Sequence, residues 1–108
     1  LFKEQEVDVF INIRSMMEMN APTLEFYFKT IHSTIKEHGI FVCFNRYVKQ
    51  VGEFSNKFDR YPFDENWKII SSAKSIFQPH IHHLIVQRYY TTNNQSFLKD
   101  LKSSLVKK

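Results

Sequence analysis

Two apolar runs, each breaking off into polar residues and separated by a helix-like segment, constrain this chain most. Val7, Val9, Ile11 and Ile13 alternate with Asp8, Phe10 and Asn12. That period of two predicts a strand over residues 7–13, and Phe10 makes its second face partly apolar as well. The run stops at Arg14 and gives way to Ser15, Met16, Met17, Glu18, Met19 and Asn20, which reads as a loop or short helical turn. Ile40, Phe41, Val42, Cys43 and Phe44 are apolar without interruption and lead into Asn45, Arg46 and Tyr47. An unbroken run of this kind predicts a central strand covered on both faces. Strand, helix, strand in that order predicts a right-handed crossover and a parallel pair. Both polar clusters then stand on one edge of the sheet, the edge where open α/β sheets bind ligands. A small-molecule site, and hence an enzyme, is expected there.

The intervening helix is predicted over residues 22–38. Asn20 is placed as its N-cap and Pro22 in its first turn, where a missing N–H costs nothing. Leu24, Phe28, Ile31 and Ile35 fall on one stripe. Glu25 lies early, Lys36 and His38 lie late, and Gly39 is placed just past the end. Residues 48–66 mix aromatic and charged side chains with Gly52 and Pro62 and read as a long loop over the sheet edge. Residues 67–71 and 81–90 read as two strands able to pair antiparallel, 91–96 as a polar loop, and 97–105 as a short helix marked by Phe97, Leu98, Leu101 and Leu105. No repeat or linker divides the chain, so residues 1–108 are expected to form a single domain.

At 43% hydrophobic and 16% aromatic residues the chain can bury a real core. The net charge of +4 comes largely from Lys99, Lys102, Lys107 and Lys108 at the end. A solvated terminal helix explains them better than a nucleic-acid patch, which would cluster basic residues on one face. Cys43, the single cysteine, reads as a small buried hydrophobe and not as a nucleophile. The absence of any internal disulfide fits a reducing, cytoplasmic compartment. No run is long enough to span a bilayer and no leader is visible, so no membrane role is expected. Only Gly39 and Gly52 are glycines, whereas a nucleotide-binding βαβ unit needs a glycine-rich first turn. The chain, which begins at Leu1, is therefore expected to be the second part of a longer protein whose first part carries that turn. A half-sheet of this kind exposes a central edge that invites homo-oligomerisation.

Three segments, DVFINIRSMMEMN at 8–20, FNRY at 44–47 and QPHIH at 78–82, together resemble the sugar O-methyltransferases that use S-adenosylmethionine. The resemblance runs from about Val7 to Arg88. It implies a Rossmann-like α/β fold of which this chain is the C-terminal half. Residues 7–13 would be the fourth strand and 40–44 the fifth, with 67–71 and 81–90 as an antiparallel closing hairpin. It also implies a sugar or glycan acceptor, as in polysaccharide biosynthesis, and a cofactor loop and ribose-binding acid that lie in strands this chain does not contain. His83 departs from the family pattern, which favours an acidic residue there.

Transfer of a methyl group from a sulfonium to a hydroxyl is an in-line displacement, and a hydroxyl needs a base to remove its proton. Glu18, His80 and His82 are the candidate bases. Histidine has the better-matched ordinary pKa, whereas Glu18 lies nearer the strand end where the methyl should point. On the cofactor side stand Asn12, Ile13, Arg14 and Ser15. On the acceptor side stand Asn20, Asn45, Arg46, Tyr47 and Gln78, with the Tyr47 ring suited to stack on a sugar. Competing readings are that Arg14 pairs with Glu18 across a tight turn and that Tyr47 packs in the core. No metal is assigned, although His80 and His82 on one strand face raise a metal-dependent hydrolase as an alternative. A non-catalytic α/β module that binds protein or nucleic acid is the other.

Overall fold

Alternating and continuous apolar runs condense into a mixed α/β structure. The computed structural model describes residues 6–90 and 94–105. In chain order these form β1 (Val7–Ile13), a 3-10 turn (Met16–Glu18), α1 (Ala21–Thr34) and β2 (Ile35–Arg46), followed by β3 (Val48–Val51) and β4 (Phe54–Lys57). A second 3-10 turn (Phe58–Arg60), β5 (Trp67–Lys74), β6 (Ile81–Arg88) and α2 (Phe97–Ser104) complete it. The main sheet has the order β1-β2-β6-β5, and β3 pairs with β4 in a separate two-stranded sheet. β1 runs parallel to β2, while β6 lies antiparallel to both β2 and β5. No helix among the described residues is long and apolar enough to cross a membrane.

α1 starts where Asn20 accepts the Thr23 N–H with its side chain, and Pro22 sits in the first turn. Its buried stripe of Leu24, Phe28 and Ile31 meets the sheet through aromatic contacts. The Phe28 ring lies 6.0 Å from Phe41 of β2 and 4.7 Å from Phe63. Phe63 in turn stands 5.9 Å from Trp67 of β5 and 5.8 Å from Phe97 of α2. One side chain from the segment between the second 3-10 turn and β5 therefore joins α1, β5 and α2. Edge-on ring contacts of this type add to simple area burial.

The structure corrects the sequence reading at four places. The helix ends at Thr34, and β2 begins at Ile35 instead of residue 40. Pairing of Ile35 with Val7 recruits it into the sheet, overriding local helix propensity. Gly39 is not a helix cap. It lies within β2 where an added Cβ would come 2.6 Å from Ile35 Cγ1 and 2.9 Å from the Lys36 carbonyl, next to His38 at φ 67°. The register shift between Val7 and Val9 marks the same bulge. Residues 48–57, read as loop, form a β-hairpin instead, with Gly52 at φ 61° in the first central position of its turn, as tight hairpins require. Finally, β2 is central but not covered on both faces. Phe41 and Cys43 are buried, whereas Ile40, Val42 and Phe44 on the opposite face are half-buried.

β1 follows the same logic. Phe10 and Asn12 face the helices, while Val9, Ile11 and Ile13 lie on the open face at 49, 62 and 55% exposure. Among the described residues nothing pairs with the outer edge of β1. The predicted loop at 91–96 is described only from Asn94 onward, and Lys107 and Lys108 lie outside the described residues.

Candidate functional site

Because β1 and β2 are parallel, both polar clusters emerge on one rim of the sheet. The Arg14 N–H donates to the Phe44 carbonyl at 2.7 Å, and the Tyr47 N–H to the His80 carbonyl at 3.1 Å. The ends of β1 and β2 and the start of β6 are thereby held side by side.

Three asparagines build this rim from within. Asn12 accepts the Met16 N–H at 2.8 Å and donates to the Tyr27 hydroxyl at 3.2 Å. Asn45 accepts the Met17 N–H at 3.0 Å and donates to Asn12 Oδ1 at 3.2 Å. Asn56 donates to the carbonyls of Met16 and Met19, both at 2.8 Å, and accepts from the Tyr61 hydroxyl at 2.8 Å. All three are buried. Their amides satisfy backbone groups of the turn at Met16–Glu18, whose Met16 and Met17 are buried. Asn12 and Asn45 were expected to meet ligand, but their side chains are turned inward and taken up by this role. Asn20 likewise is taken up as the α1 N-cap.

What faces solvent on the rim is a second set. Arg14 adopts a left-handed conformation at φ 60°, an uncommon state for a residue with a side chain; it and Ser15 are exposed. Glu18 is exposed and pairs with Lys49 at 3.3 Å; no ion pair joins it to Arg14. His80 is exposed in the turn before β6, and Ile13 lies on the open sheet face. Arg46 is half-buried with its Nε unpartnered. Gln78 closes the β5–β6 turn, its N–H donating to Ser75 Oγ at 3.2 Å and its carbonyl accepting the Ile81 N–H at 2.8 Å.

The histidines separate. His80 precedes the strand, and β6 sends His82 and His83 to opposite faces, His83 stacking on Phe44 at 4.0 Å. Among the described residues no group of three His, Cys, Asp or Glu is placed to hold a metal. His82 is fully buried, and both ring nitrogens are occupied: Nδ1 lies 2.8 Å from the Tyr47 hydroxyl and Nε2 lies 2.7 Å from Ser72 Oγ. Ser72 Oγ is 2.6 Å from Ser104 Oγ, which donates to the Leu101 carbonyl at 2.7 Å. A carbonyl only accepts, so the direction of the whole relay is determined. Ser104 gives its proton to Leu101, Ser72 gives its proton to Ser104, His82 Nε2–H gives to Ser72, and the Tyr47 O–H gives to Nδ1. Burial, and then neighbouring His83, hold the imidazole down at about 4. It stays neutral as this arrangement needs, and its buried position corrects the expectation of a base facing substrate.

Tyr47 also lines a cleft of about 390 Å³ between the β3–β4 hairpin and α2, together with Lys57, Asp59 and Lys102. Sequence reasoning found Tyr47 but missed Asn56, Ser72, Lys57, Asp59 and Lys102 as parts of one region. Gly52, with an apolar residue on each side of the turn at Val51 and Phe54, was the available signal for the hairpin that carries Lys57. Cys43 is buried as expected, and burial pushes its thiol up to about 12. Compared with known proteins, the chain matches no protein-family model, no curated protein and no solved structure.

Proposed function

We propose that this chain is the C-terminal half of a Rossmann-like, S-adenosylmethionine-dependent O-methyltransferase acting on a sugar hydroxyl. One observation carries the reading: a parallel pair, β1 and β2, is followed by an antiparallel hairpin, β5 and β6, in one sheet. That is the strand arrangement which the resemblance of residues 8–20, 44–47 and 78–82 implies.

Of the residues on the cofactor side, Arg14 and Ser15 are exposed where β1 ends. They suit the polar end of a ligand lying across that rim. Asn12 acts on the same side through the turn it holds. The cofactor, when bound, supplies an electrophilic methyl group. This chain's part is to orient the acceptor and take its proton. Glu18 and His80 are the solvent-facing residues on the rim able to do so. Lys49 anchors the Glu18 carboxylate. Arg46 and Gln78 border the acceptor side.

A test is to express the whole reading frame that encodes this segment. Transfer of a labelled methyl group from S-adenosylmethionine to free and nucleotide-linked sugars is then measured, with binding of S-adenosylhomocysteine alongside. Transfer lost in Glu18→Gln or His80→Gln, with product binding retained, is the expected result. Neither transfer nor binding in the intact protein would overturn the proposal. The alternative of a binding module draws on a different observation, the half-exposed apolar row of Val9, Ile11 and Ile13. It predicts partner capture without any cofactor affinity.

A further inference from the structure

The turn between β5 and β6 displays its apolar side chains instead of hiding them. Ile76 and Phe77 are 89 and 91% exposed, more than any other large apolar residue among the described ones. The turn is closed by its own hydrogen bonds. Ser75 is buried; its N–H donates to the Ile81 carbonyl at 3.0 Å, and its Oγ accepts the Gln78 N–H at 3.2 Å. The Gln78 carbonyl accepts the Ile81 N–H at 2.8 Å. A backbone fixed in this way holds two adjacent apolar side chains in water. Single scattered ones would need no explanation, but a contiguous pair marks a contact surface.

The charge beside this tip is of one sign. Lys74, the last residue of β5, lies level with His82 of β6 and Asn45 of β2. Arg46 ends β2, and Arg14 follows Ile13, which lies level with Phe44. All three cations stand on the rim that the Ile76–Phe77 turn leaves. From β1 to β5 there are three strand spacings, roughly 14 Å of backbone. None of the three has an ion-pair partner among the described residues. Glu18, the acid in the turn after β1, is offset by Lys49 at 3.3 Å. At the other end of the sheet acids and bases are matched, Asp8 with Lys36 at 3.2 Å and Asp64 with Arg88.

An apolar tip beside a band of unpaired cations matches the boundary of a bilayer, where acyl chains lie beneath phosphates. A surface of many headgroups does not require the cations to converge on one point. It requires that they lie on one side, as they do here. A protein groove would take the apolar pair but leave the cations unexplained. We propose that Ile76 and Phe77 insert into the interface of a membrane rich in anionic phospholipid, with the exposed Lys74 and Arg14 against its headgroups. The contact is peripheral. The lack of a run able to span a bilayer, on which the expectation of no membrane role rests, does not bear on it. Docking of this kind turns the Glu18–His80 rim towards the membrane surface, and it does not depend on methyl transfer.

Sedimentation of the whole protein with vesicles tests the proposal without any cofactor. The vesicles are phosphatidylcholine alone, or phosphatidylcholine and phosphatidylserine in a two-to-one mixture. Binding to the mixed vesicles is expected to be at least about tenfold stronger, with the excess lost in high salt. Ile76→Ser with Phe77→Ser should weaken binding to the mixed vesicles by at least about tenfold, and Lys74→Gln by about fivefold. All three positions are exposed, so thermal unfolding of these variants should match that of the unaltered protein. In the unaltered protein, mixed vesicles should slow deuterium uptake at the amides of residues 76–77. Equal binding to both vesicles, full binding by the double serine variant, or unchanged uptake at residues 76–77 would overturn the assignment. Absence of binding to either vesicle would overturn it in favour of a protein groove as the recipient of the tip. None of these outcomes touches the methyl-transfer reading, which is measured by a different assay at different residues.

Discussion

Asp64 grips the Arg88 guanidinium in a two-pronged pair, with Oδ2 2.8 Å from Nη2 and a second, shorter contact between Oδ1 and Nη1. Arg88 is buried, and its guanidinium lies 4.9 Å from the centre of the Trp67 ring and 4.7 Å from that of Tyr90. The pair closes the far end of β6 against β5, at the opposite end of the sheet from the rim that carries Glu18 and His80. Removing the carboxylate leaves a buried cation with rings but no counter-charge. Asp64→Ala should cost about 3 kcal/mol, the low end for breaking a buried pair, because Asp64 itself is 38% exposed. Urea unfolding at pH 7 measures this.

Acid sensitivity should arrive in two steps. Burial lowers both His32 and His82 to about 4, from the 6.5 of an ordinary imidazole. The unfolded chain takes up these protons first, so stability is complete above pH 6.5 and declines as pH falls from there towards 4. For His82 alone the change is on the order of 3 kcal/mol. Asp64 follows. Burial works to raise its carboxyl, but the Arg88 hydrogen bonds and the nearby His32 outweigh that and hold it below its usual value. Its contribution is present above the unfolded pKa of about 4 and is lost as pH falls further. Unfolding midpoints from pH 8 to 3 should show both slopes, and His82→Gln should flatten the first.

Asn45 is expected to matter for order at the rim. In Asn45→Ala the buried Met17 N–H loses its acceptor, a penalty of roughly 1–3 kcal/mol. Amide exchange at Met17 should accelerate well before exchange in the centre of β2. Unchanged exchange there would show that the turn stands without the asparagine.

The two glycines should respond differently to alanine. At Gly39 the new Cβ meets Ile35 at 2.6 Å and backbone oxygen at 2.9 Å, so the β2 bulge must shift, at a cost of about 2 kcal/mol. At Gly52 the space is open and only φ 61° opposes the change, at about 1 kcal/mol. Thermal unfolding of the two variants ranks them.

The open face of β1 predicts association. Val9, Ile11 and Ile13 form a contiguous apolar row beside an edge that nothing covers among the described residues, and such edges template pairing. Sedimentation should show concentration-dependent oligomers. Ile11→Lys should shift them to monomer while changing the unfolding free energy by no more than about 0.5 kcal/mol, as for an exposed position.

The residues of β1 show where legibility in the sequence stops. Their alternation defines a strand at Val7–Ile13, because period two is a local property. It does not say that Phe10 and Asn12 turn inward while the valine and isoleucines turn outward. That depends on α1 lying over one face, a fact carried by residues far along the chain. The Asn20 cap, the burial of Cys43 and the antiparallel closing hairpin were equally legible, each written in near neighbours or in an unbroken apolar run.

The functional residues divide the same way. The sequence by itself determined that polar groups gather after β1 and after β2, since each cluster adjoins its own strand. Only the tertiary structure decided that Asn12 and Asn45 serve the turn at Met16–Glu18, that His82 is sealed behind Tyr47, and that Lys57, Asp59 and Lys102 surround one cleft. A hydrogen bond needs a partner at about 3 Å. Which partner that is follows from how distant segments pack, a property no local pattern encodes.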